Sequence, residues 1–454
     1  MTWKCGDLIL SADPYVHILA QKERRKRCDS CFKNSDKLKR CTACSVVYYC
    51  SVKCQREDWI VHKEECLCLK QMSPKIPTDS VRLLLRLVIR HKRGDDTQFV
   101  DTAKWRTFDE FQSHTDEIKA DVKRTEIFVK MSYIICQLVG DRFPVPDASK
   151  LLDMFGKMTI NSFSICDAEM QAIGTGIYLS PSLLDHSCQP NAVATFTGKT
   201  ISIRAVSDIE ETEPSKVFLS YIDQLAPSTD RRRQLEEQYY FTCQCCRCLD
   251  SNLDAKMQSI YCDQLNCKGL MYKMSVDTVY TCQTCKVEVT LDDRQEDIDN
   301  RTTELKEFIE EIDKTKNETD ASLIQVRCEK MLQKHGAVFP PYNVHMLHLL
   351  ERAFDACIDA GHWEQACRHG TAITQPYYAL YPDSSPSVGV HLMKMGKVHL
   401  LLQHLEPALK NLQQAETIIS VTHGKTHHLY KDLVLQLDQC CEEMRIVMER
   451  GETT

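Results

Sequence analysis

The chemistry in this chain is concentrated in sulfur. Of its 454 residues, 25 are cysteine, and most of these fall into three clusters. The first pairs Cys28 with Cys31, Cys41 with Cys44, Cys50 with Cys54 and His62 with Cys66. Spacings of two or three intervening residues let both members of a pair reach one ion, and seven thiolates with one imidazole fill two tetrahedral zinc shells. Shells closed in this way are structural, with no coordination position left for a substrate. The piece from residue 28 to residue 66 has little core of its own, so bound metal must supply much of its folding free energy. The second cluster, Cys243-x-Cys245-x2-Cys248, is a three-thiolate arc that Cys188 can complete. The third, Cys262-x4-Cys267 with Cys282-x2-Cys285, has zinc-ribbon spacing and calls for a fourth ion. Fifteen cysteines and His62 are used in this way, which leaves ten cysteines as ordinary thiols.

The elements that carry these clusters are mixed. Ser80–Arg93 and Glu126–Val139 have apolar residues at helical spacing, and the second reads as another buried helix. Ile177–Tyr178, Ala192–Phe196 and Thr200–Ala205 read as short strands, the last two joined at Gly198-Lys199. No helix-opening glycine follows Gly174-x-Gly176, so that pair reads as a strand-entry turn and not as a phosphate loop. From about Asp297 onward the pattern is helical, with breaks expected at Pro340-Pro341, Pro376 and Pro382–Pro386. Within it, Ala356–Ala366 lies over Val398–Ala408 at a shift of 42 residues, each stretch holding a helix, a turn and a Glu-x-Ala opening. This is similar to tetratricopeptide units with lengthened connections, and a plain helical bundle is the alternative.

Composition narrows the class. With 43% apolar and 27% charged residues the chain is of ordinary globular type, and no apolar run approaches the roughly 20 residues needed to span a bilayer. The first residues show no charged segment followed by an apolar one, so a secretory signal is not expected. Clustered cysteines then read as metal ligands in reduced compartments, the nucleus and cytoplasm. A net charge of −7 fits nucleic-acid binding poorly. The run Lys22–Arg27, with Lys37, Lys39 and Arg40, is locally basic and would suit a nucleic-acid contact or a nuclear address, although a solvated charged face is the commoner meaning.

Cys28-x2-Cys31, Cys41-x2-Cys44, Tyr48-Tyr-Cys-Ser-x-Lys-Cys-Gln55, Trp59, His62-Lys63 and Cys66 resemble a MYND zinc finger. That resemblance interleaves the sites: Cys28, Cys31, Cys50 and Cys54 hold one ion, and Cys41, Cys44, His62 and Cys66 the other. It also implies binding of proline-rich peptides, with Trp59 and Gln55 helping to recognise them. Asn161-Ser-Phe-Ser-Ile-Cys166, Gly176-Ile-Tyr178, Ser182-Leu-Leu-Asp-His-Ser-Cys-Gln-Pro-Asn191, Ser220-Tyr221 and Gln238-Tyr-Tyr-Phe-Thr-Cys243 resemble a SET domain with its post-SET tail. The whole order is similar to the SMYD family of protein-lysine methyltransferases. The implied fold is α+β: a β-rich SET core interrupted by a MYND finger, a zinc-binding post-SET tail and an α-helical, tetratricopeptide-like C-terminal domain. The expected divisions are partial SET strands at 1–22, the finger at 28–66, a helical SET insertion at 67–155, the SET core at 156–225 and the post-SET tail at 226–250. A ribbon-like insert at 258–292 and the helical domain at 297–450 follow.

The resemblance implies methyl transfer from S-adenosylmethionine to lysines of histone or other proteins, in a monomer with a chromatin-regulating role. It places Tyr221 at the reaction centre and Phe163 and Tyr239 along the lysine channel. Ser182, Asp185 and His186 would hold the cofactor, with Phe241 packed on its adenine. Three features depart from the family pattern. The family's Gly-x-Gly turn around the methionine end of the cofactor would lie just before Lys4-Cys-Gly-Asp-Leu-Ile-Leu, Asp185 replaces an asparagine, and Glu211-Thr-Glu-Pro-Ser-Lys-Val217 replaces an acidic glycine turn. Against the enzyme stands a binding alternative, a zinc-stabilised adaptor of weak or no activity that holds partners through the finger and the helical domain.

Overall fold

The computed structural model describes residues 2–72, 74–94, 101–273, 279–290, 292–316 and 319–451, so parts of the expected insertion and ribbon (95–100, 274–278 and 291) lie outside the described residues. The chain divides into two compact units. One comprises Met1–His186, Asn191–Leu219 and Glu236–Phe241, and the other Ser187–Pro190, Ser220–Leu235 and Thr242–Thr454.

In chain order the first unit carries β1 (Leu8–Ala12), β2 (Val16–Leu19), β3 (Lys39–Arg40), β4 (Tyr48–Tyr49), α1 (Val52–Met72), α2 (Asp79–Arg93), α3 (Thr115–Ala120), α4 (Val122–Val139), α5 (Ala148–Asn161), β5 (Ser162–Cys166), β6 (Ala172–Ile177), β7 (Asp185–His186), β8 (Ala192–Thr197), β9 (Thr200–Ala205) and β10 (Phe218–Leu219). These strands form small sheets in the orders β1-β9-β8, β2-β6-β5, β3-β4 and β10-β7. The β8–β9 hairpin turns at Gly198-Lys199 as its sequence requires, with Thr197 opposite Thr200 and Gly198 at a φ of +63°.

Helix α2 is the hub of this unit. Asp79 opens it, a basic last turn from Arg90 to Arg93 complements its dipole, and Gly94 closes it in the left-handed conformation. Every residue from Val81 to Arg90 is buried, three arginines included. Helix α4 begins earlier than periodicity suggested because Asp121 caps it, accepting from the Arg124 N–H. It is also less buried than expected: Met131, Ile135 and Leu138 face the core, whereas Ile127, Val129 and Tyr133 face outward. Gly174 and Gly176 are not at a strand entry. They lie within β6, the middle strand, where a Cβ on Gly174 would meet the Phe32 ring at 2.5 Å and the Ile18 carbonyl at 2.6 Å.

The rest of the chain carries α6 (Ser228–Tyr239), α7 (Cys246–Leu249), α8 (Ser251–Met257), β11 (Ile260–Tyr261), β12 (Leu270–Lys273), β13 (Val279–Cys282), β14 (Glu288–Thr290), α9 (Asp292–Thr315), α10 (Ala321–His335), α11 (Val344–Asp359), α12 (Trp363–Leu380), α13 (Pro386–Leu401), α14 (Leu405–Thr422) and α15 (His428–Gly451). Strands β11 to β14 form one antiparallel meander. The 42-residue repeat extends to every boundary, because α13 and α14 begin and end 42 residues after α11 and α12. Pro376 does not break α12 as expected. It sits inside the helix, where Ile373, Pro376, Tyr377 and Leu380 are all buried, and that packing outweighs one missing backbone donor.

Candidate active site and metal centres

In the finger, the ligand atoms of Cys28, Cys31, Cys50 and Cys54 lie within 4.8 Å of one another, and so do those of Cys41, Cys44, His62 and Cys66. The Cys31 and Cys50 sulfurs are 3.7 Å apart, and Cys44 Sγ is 3.5 Å from His62 Nε2. The fold supplies this locally. The β3–β4 pairing encloses the loop that carries Cys41 and Cys44, and His62 and Cys66, four residues apart in the middle of α1, share one face. Sulfur and imidazole donors at these separations fit tetrahedral zinc.

His62 is held from behind. Its Nδ1 is 2.9 Å from Glu65, which accepts from Arg82 Nε at 3.0 Å and Arg86 Nη2 at 2.7 Å. Arg86 continues to Asp58 at 3.1 Å and to the His17 carbonyl at 3.2 Å, and the Tyr49 hydroxyl donates to Asp58 at 2.6 Å. Burial alone would raise the Glu65 carboxyl, but the charges of Arg82 and Arg86 and the bond to His62 hold it well below the usual carboxylate range. Asp29, which accepts from the Tyr48 N–H, is pushed up to about 6 by burial despite the opposing pull of Arg82. The sequence carried a signal for this network that composition hides: arginines at 82, 86 and 90 repeat every four residues along an apolar helix.

Two arginines of the basic run are tied into structure, while Lys22, Lys26, Lys37, Lys39 and Arg40 are exposed. Arg27 pairs with Glu23 and Asp167, both at 3.0 Å, and Arg25 Nε donates to the Tyr48 hydroxyl at 3.1 Å.

In the second unit the ligand atoms of Cys188, Cys243, Cys245 and Cys248 lie within 4.8 Å of one another, with the Cys188 and Cys248 sulfurs 3.5 Å apart. Arg231 approaches the Cys248 sulfur at 3.6 Å, and Arg232 ties down the Cys243 and Cys248 carbonyls. Four thiolates around a dication leave net negative charge, which the buried Arg231 offsets. Cys262, Cys267, Cys282 and Cys285 cluster likewise at the β11–β12 and β13–β14 turns, with sulfur pairs 3.7 Å apart.

The residues expected to transfer the methyl group divide between the units. Strand β10 runs parallel to β7, with Phe218 opposite Asp185 and Leu219 opposite His186. Asn191 clamps this crossing: its side chain donates to the Lys216 carbonyl and accepts from the Phe218 N–H, both at 2.7 Å. The unusual segment before β10 is absorbed locally, since Pro214 opens a short 3-10 turn and Lys216 reaches Glu211 at 3.6 Å. The His186 and Phe241 rings are 5.8 Å apart, and the Tyr239 ring is 6.5 Å from Phe241. Phe163 packs edge-on at 5.6 Å against Tyr178, a fully buried tyrosine whose hydroxyl donates to the Lys199 carbonyl at 2.5 Å. The Ser182 hydroxyl donates to the Leu179 carbonyl at 2.7 Å, so its proton is engaged in the turn. Asp185 is exposed. Tyr221 belongs to the second unit, two residues past β10, where Ser220 Oγ bonds the Ile222 carbonyl across it at 2.8 Å.

Comparison with known proteins gives this geometry a family. The MYND finger family matches residues 28–66. The chain is 34% identical over 442 residues to human histone-lysine N-methyltransferase SMYD3, covering 97% of this chain and 94% of that protein. It is 31% identical over 435 residues to chicken N-lysine methyltransferase SMYD2, covering 95% and 92%. Against zebrafish N-lysine methyltransferase SMYD2-A the identity is 29% over 440 residues, covering 96% and 94%. The chain therefore belongs to the SMYD family of protein-lysine methyltransferases. No described helix is long and apolar enough to cross a membrane.

Proposed function

We propose that this chain methylates lysine side chains of histone or other proteins, with Tyr221 at the reaction centre. The carrying observation is the β7–β10 crossing clamped by Asn191, which delivers the chain to Tyr221 directly after it passes Asp185 and His186. S-adenosylmethionine supplies an electrophilic methyl group on a sulfonium. The residues at β7 fit such a ligand: the exposed Asp185 carboxylate suits its ammonium, and the His186–Phe241 ring pair offers a face for adenine. Ser182 contributes lone pairs only, because its proton is committed to Leu179.

The attacking amine must be neutral, although a free lysine titrates near 10.4. Phe163 and Tyr239 line its approach with apolar surface, and burial of this kind disfavours the ammonium form. Burial raises the Tyr239 hydroxyl despite nearby Arg124, so the ring remains neutral. The Tyr221 hydroxyl would orient the incoming amine toward the methyl group that bound S-adenosylmethionine would supply. The finger serves as a protein-docking module, with Trp59 and Ile60 exposed on α1 for a proline-rich segment. Action on nuclear and cytoplasmic proteins fits the reduced thiols.

The test is transfer of radiolabelled methyl to histone and mixed-protein acceptors by the parent and Tyr221→Phe, alongside calorimetric titration with S-adenosylmethionine. The parent labels acceptors, and the variant binds cofactor but labels none. A variant as active as the parent overturns the role of Tyr221. A parent that gives no binding heat at millimolar cofactor leaves the adaptor reading in its place.

A further inference from the structure

Outside the four clusters, one of the ten remaining cysteines meets two histidines. Cys367 Sγ and the ring nitrogens of His399 and His404 all lie within 4.8 Å of one another. Cys367 Sγ and His399 Nδ1 are 3.9 Å apart, and the two imidazole centroids are separated by 5.7 Å. Cys367 stands near the start of α12, His399 in the last turn of α13 and His404 at the cap of α14.

The backbone enforces this meeting. The α13–α14 turn is tight: the Gln403 N–H reaches the Leu400 carbonyl at 3.0 Å and the His404 N–H reaches the His399 carbonyl at 2.9 Å. Gln403 takes a φ of +59°, which folds His404 back over the end of α13. The preceding repeat has the same turn without the cluster. His362 caps α12 with φ −91° and ψ 75°, against −90° and 74° at His404, and its N–H reaches the Cys357 carbonyl at 2.8 Å. Cys357 occupies the place of His399 there, and the His362 ring is engaged by Gln325 on α10. The repeat therefore supplies the geometry, and His399 and Cys367 add the donors.

We propose that Cys367, His399 and His404 form a further zinc site in the helical unit, with a fourth position open to solvent. One thiolate and two imidazoles suit zinc and not the hard cations, which take oxygen ligands. Around tetrahedral zinc with bonds of 2.0–2.3 Å, neighbouring donors stand about 3.3–3.7 Å apart. The observed separations need to close by only about 1 Å, which rotation of the exposed His404 ring accommodates. His399 is 9% exposed and gives a fixed anchor, whereas the half-buried Cys367 and exposed His404 leave the site reachable from water. Three protein ligands leave one coordination position for water or an incoming donor, unlike the closed shells of the finger.

The experiment uses the full chain replete with zinc. Parent, Cys367→Ser and His404→Gln are dialysed against micromolar zinc, and bound metal is counted by native mass spectrometry. The parent should hold one more equivalent per chain than either variant, and cobalt loaded in place of this zinc after a brief chelator wash should give a stronger thiolate-to-metal absorption in the parent than in either variant. Because His404 is exposed, its variant folds normally, and an unchanged circular dichroism spectrum checks this. Equal zinc counts in parent and variants, or identical cobalt spectra, overturn the proposal.

Discussion

His62 Nδ1 and the Glu65 carboxylate face each other at 2.9 Å, with neither side chain exposed to solvent. Through this contact a zinc ligand of the finger is joined to Arg82 and Arg86 of α2. The carboxylate orients the imidazole and fixes which ring nitrogen faces the metal. Replacing Glu65 with glutamine keeps the volume but removes the carboxylate that buried Arg82 pairs with and leaves buried Arg86 to Asp58 alone. The expected cost is about 3–5 kcal/mol of stability, together with a roughly 10- to 100-fold loss of zinc affinity at that site. Denaturant unfolding and competition with a chromophoric chelator measure the two effects. Unchanged values in both would remove the network from any structural role.

Asn191 makes a second prediction. Asn191→Asp keeps the acceptor for the Phe218 N–H but turns a donor into a carboxylate facing the Lys216 carbonyl. The strand leading to Tyr221 then loses its fixed position, and displacements of about 1 Å cost on the order of 100-fold in rate. Methyl transfer should fall by that factor while the zinc count stays the same. Steady-state assays with paired metal analysis decide it.

Gly174 has no room for a side chain. One methyl group there meets both an aromatic edge of the finger and a backbone carbonyl of β2. Gly174→Ala should therefore destabilise the first unit by about 1–3 kcal/mol. Truncating Phe32 alongside it should not restore stability, because the Ile18 carbonyl cannot move aside without breaking the β2–β6 pairing. Thermal melts of the single and double variants test the point.

The helical unit should weaken in mild acid. His391 is buried against Phe354 and Tyr377, and its titration is lowered to about 4, chiefly by burial, which outweighs the attraction of Glu351. Between that value and the ordinary 6.5, the unfolded chain takes up a proton that the folded chain refuses. The stabilisation is complete above about pH 6.5 and drains away as pH falls toward 4, by roughly 3 kcal/mol in all. His345, lowered to about 3 mainly by burial, acts in the same direction. Hydrogen exchange of α13 peptides at pH 7 and pH 5 should show this loosening in the parent and less of it in His391→Gln. Equal loosening in both proteins would assign the effect elsewhere.

Much of this was readable from the sequence, for a physical reason. Paired metal ligands close in sequence or on one helix face can reach one ion together, so the spacings of Cys28–Cys31 and His62–Cys66 survive as a linear signal. The 42-residue shift left a weaker trace, because stacked helix pairs reuse one pattern of apolar contacts with few identical residues. The pairing of Glu65 with Arg86 was not legible, since they are 21 residues apart and the arginine spacing along an apolar helix names no partner. Pro376 misled because a local rule about backbone donors yielded to tertiary packing. The Cys367 cluster was hidden because its members come from three separate helices.

Phe32 lies against the middle strand of a core sheet, and the Cys31 carbonyl lies where a Cβ on Gly198 would be, at 2.4 Å. A finger seated at two such places is not a cassette that can be cut out and swapped between relatives. Stripping its ions would loosen the sheets beneath it, so in this protein metal supply governs the competence of the core as well as the shape of the finger.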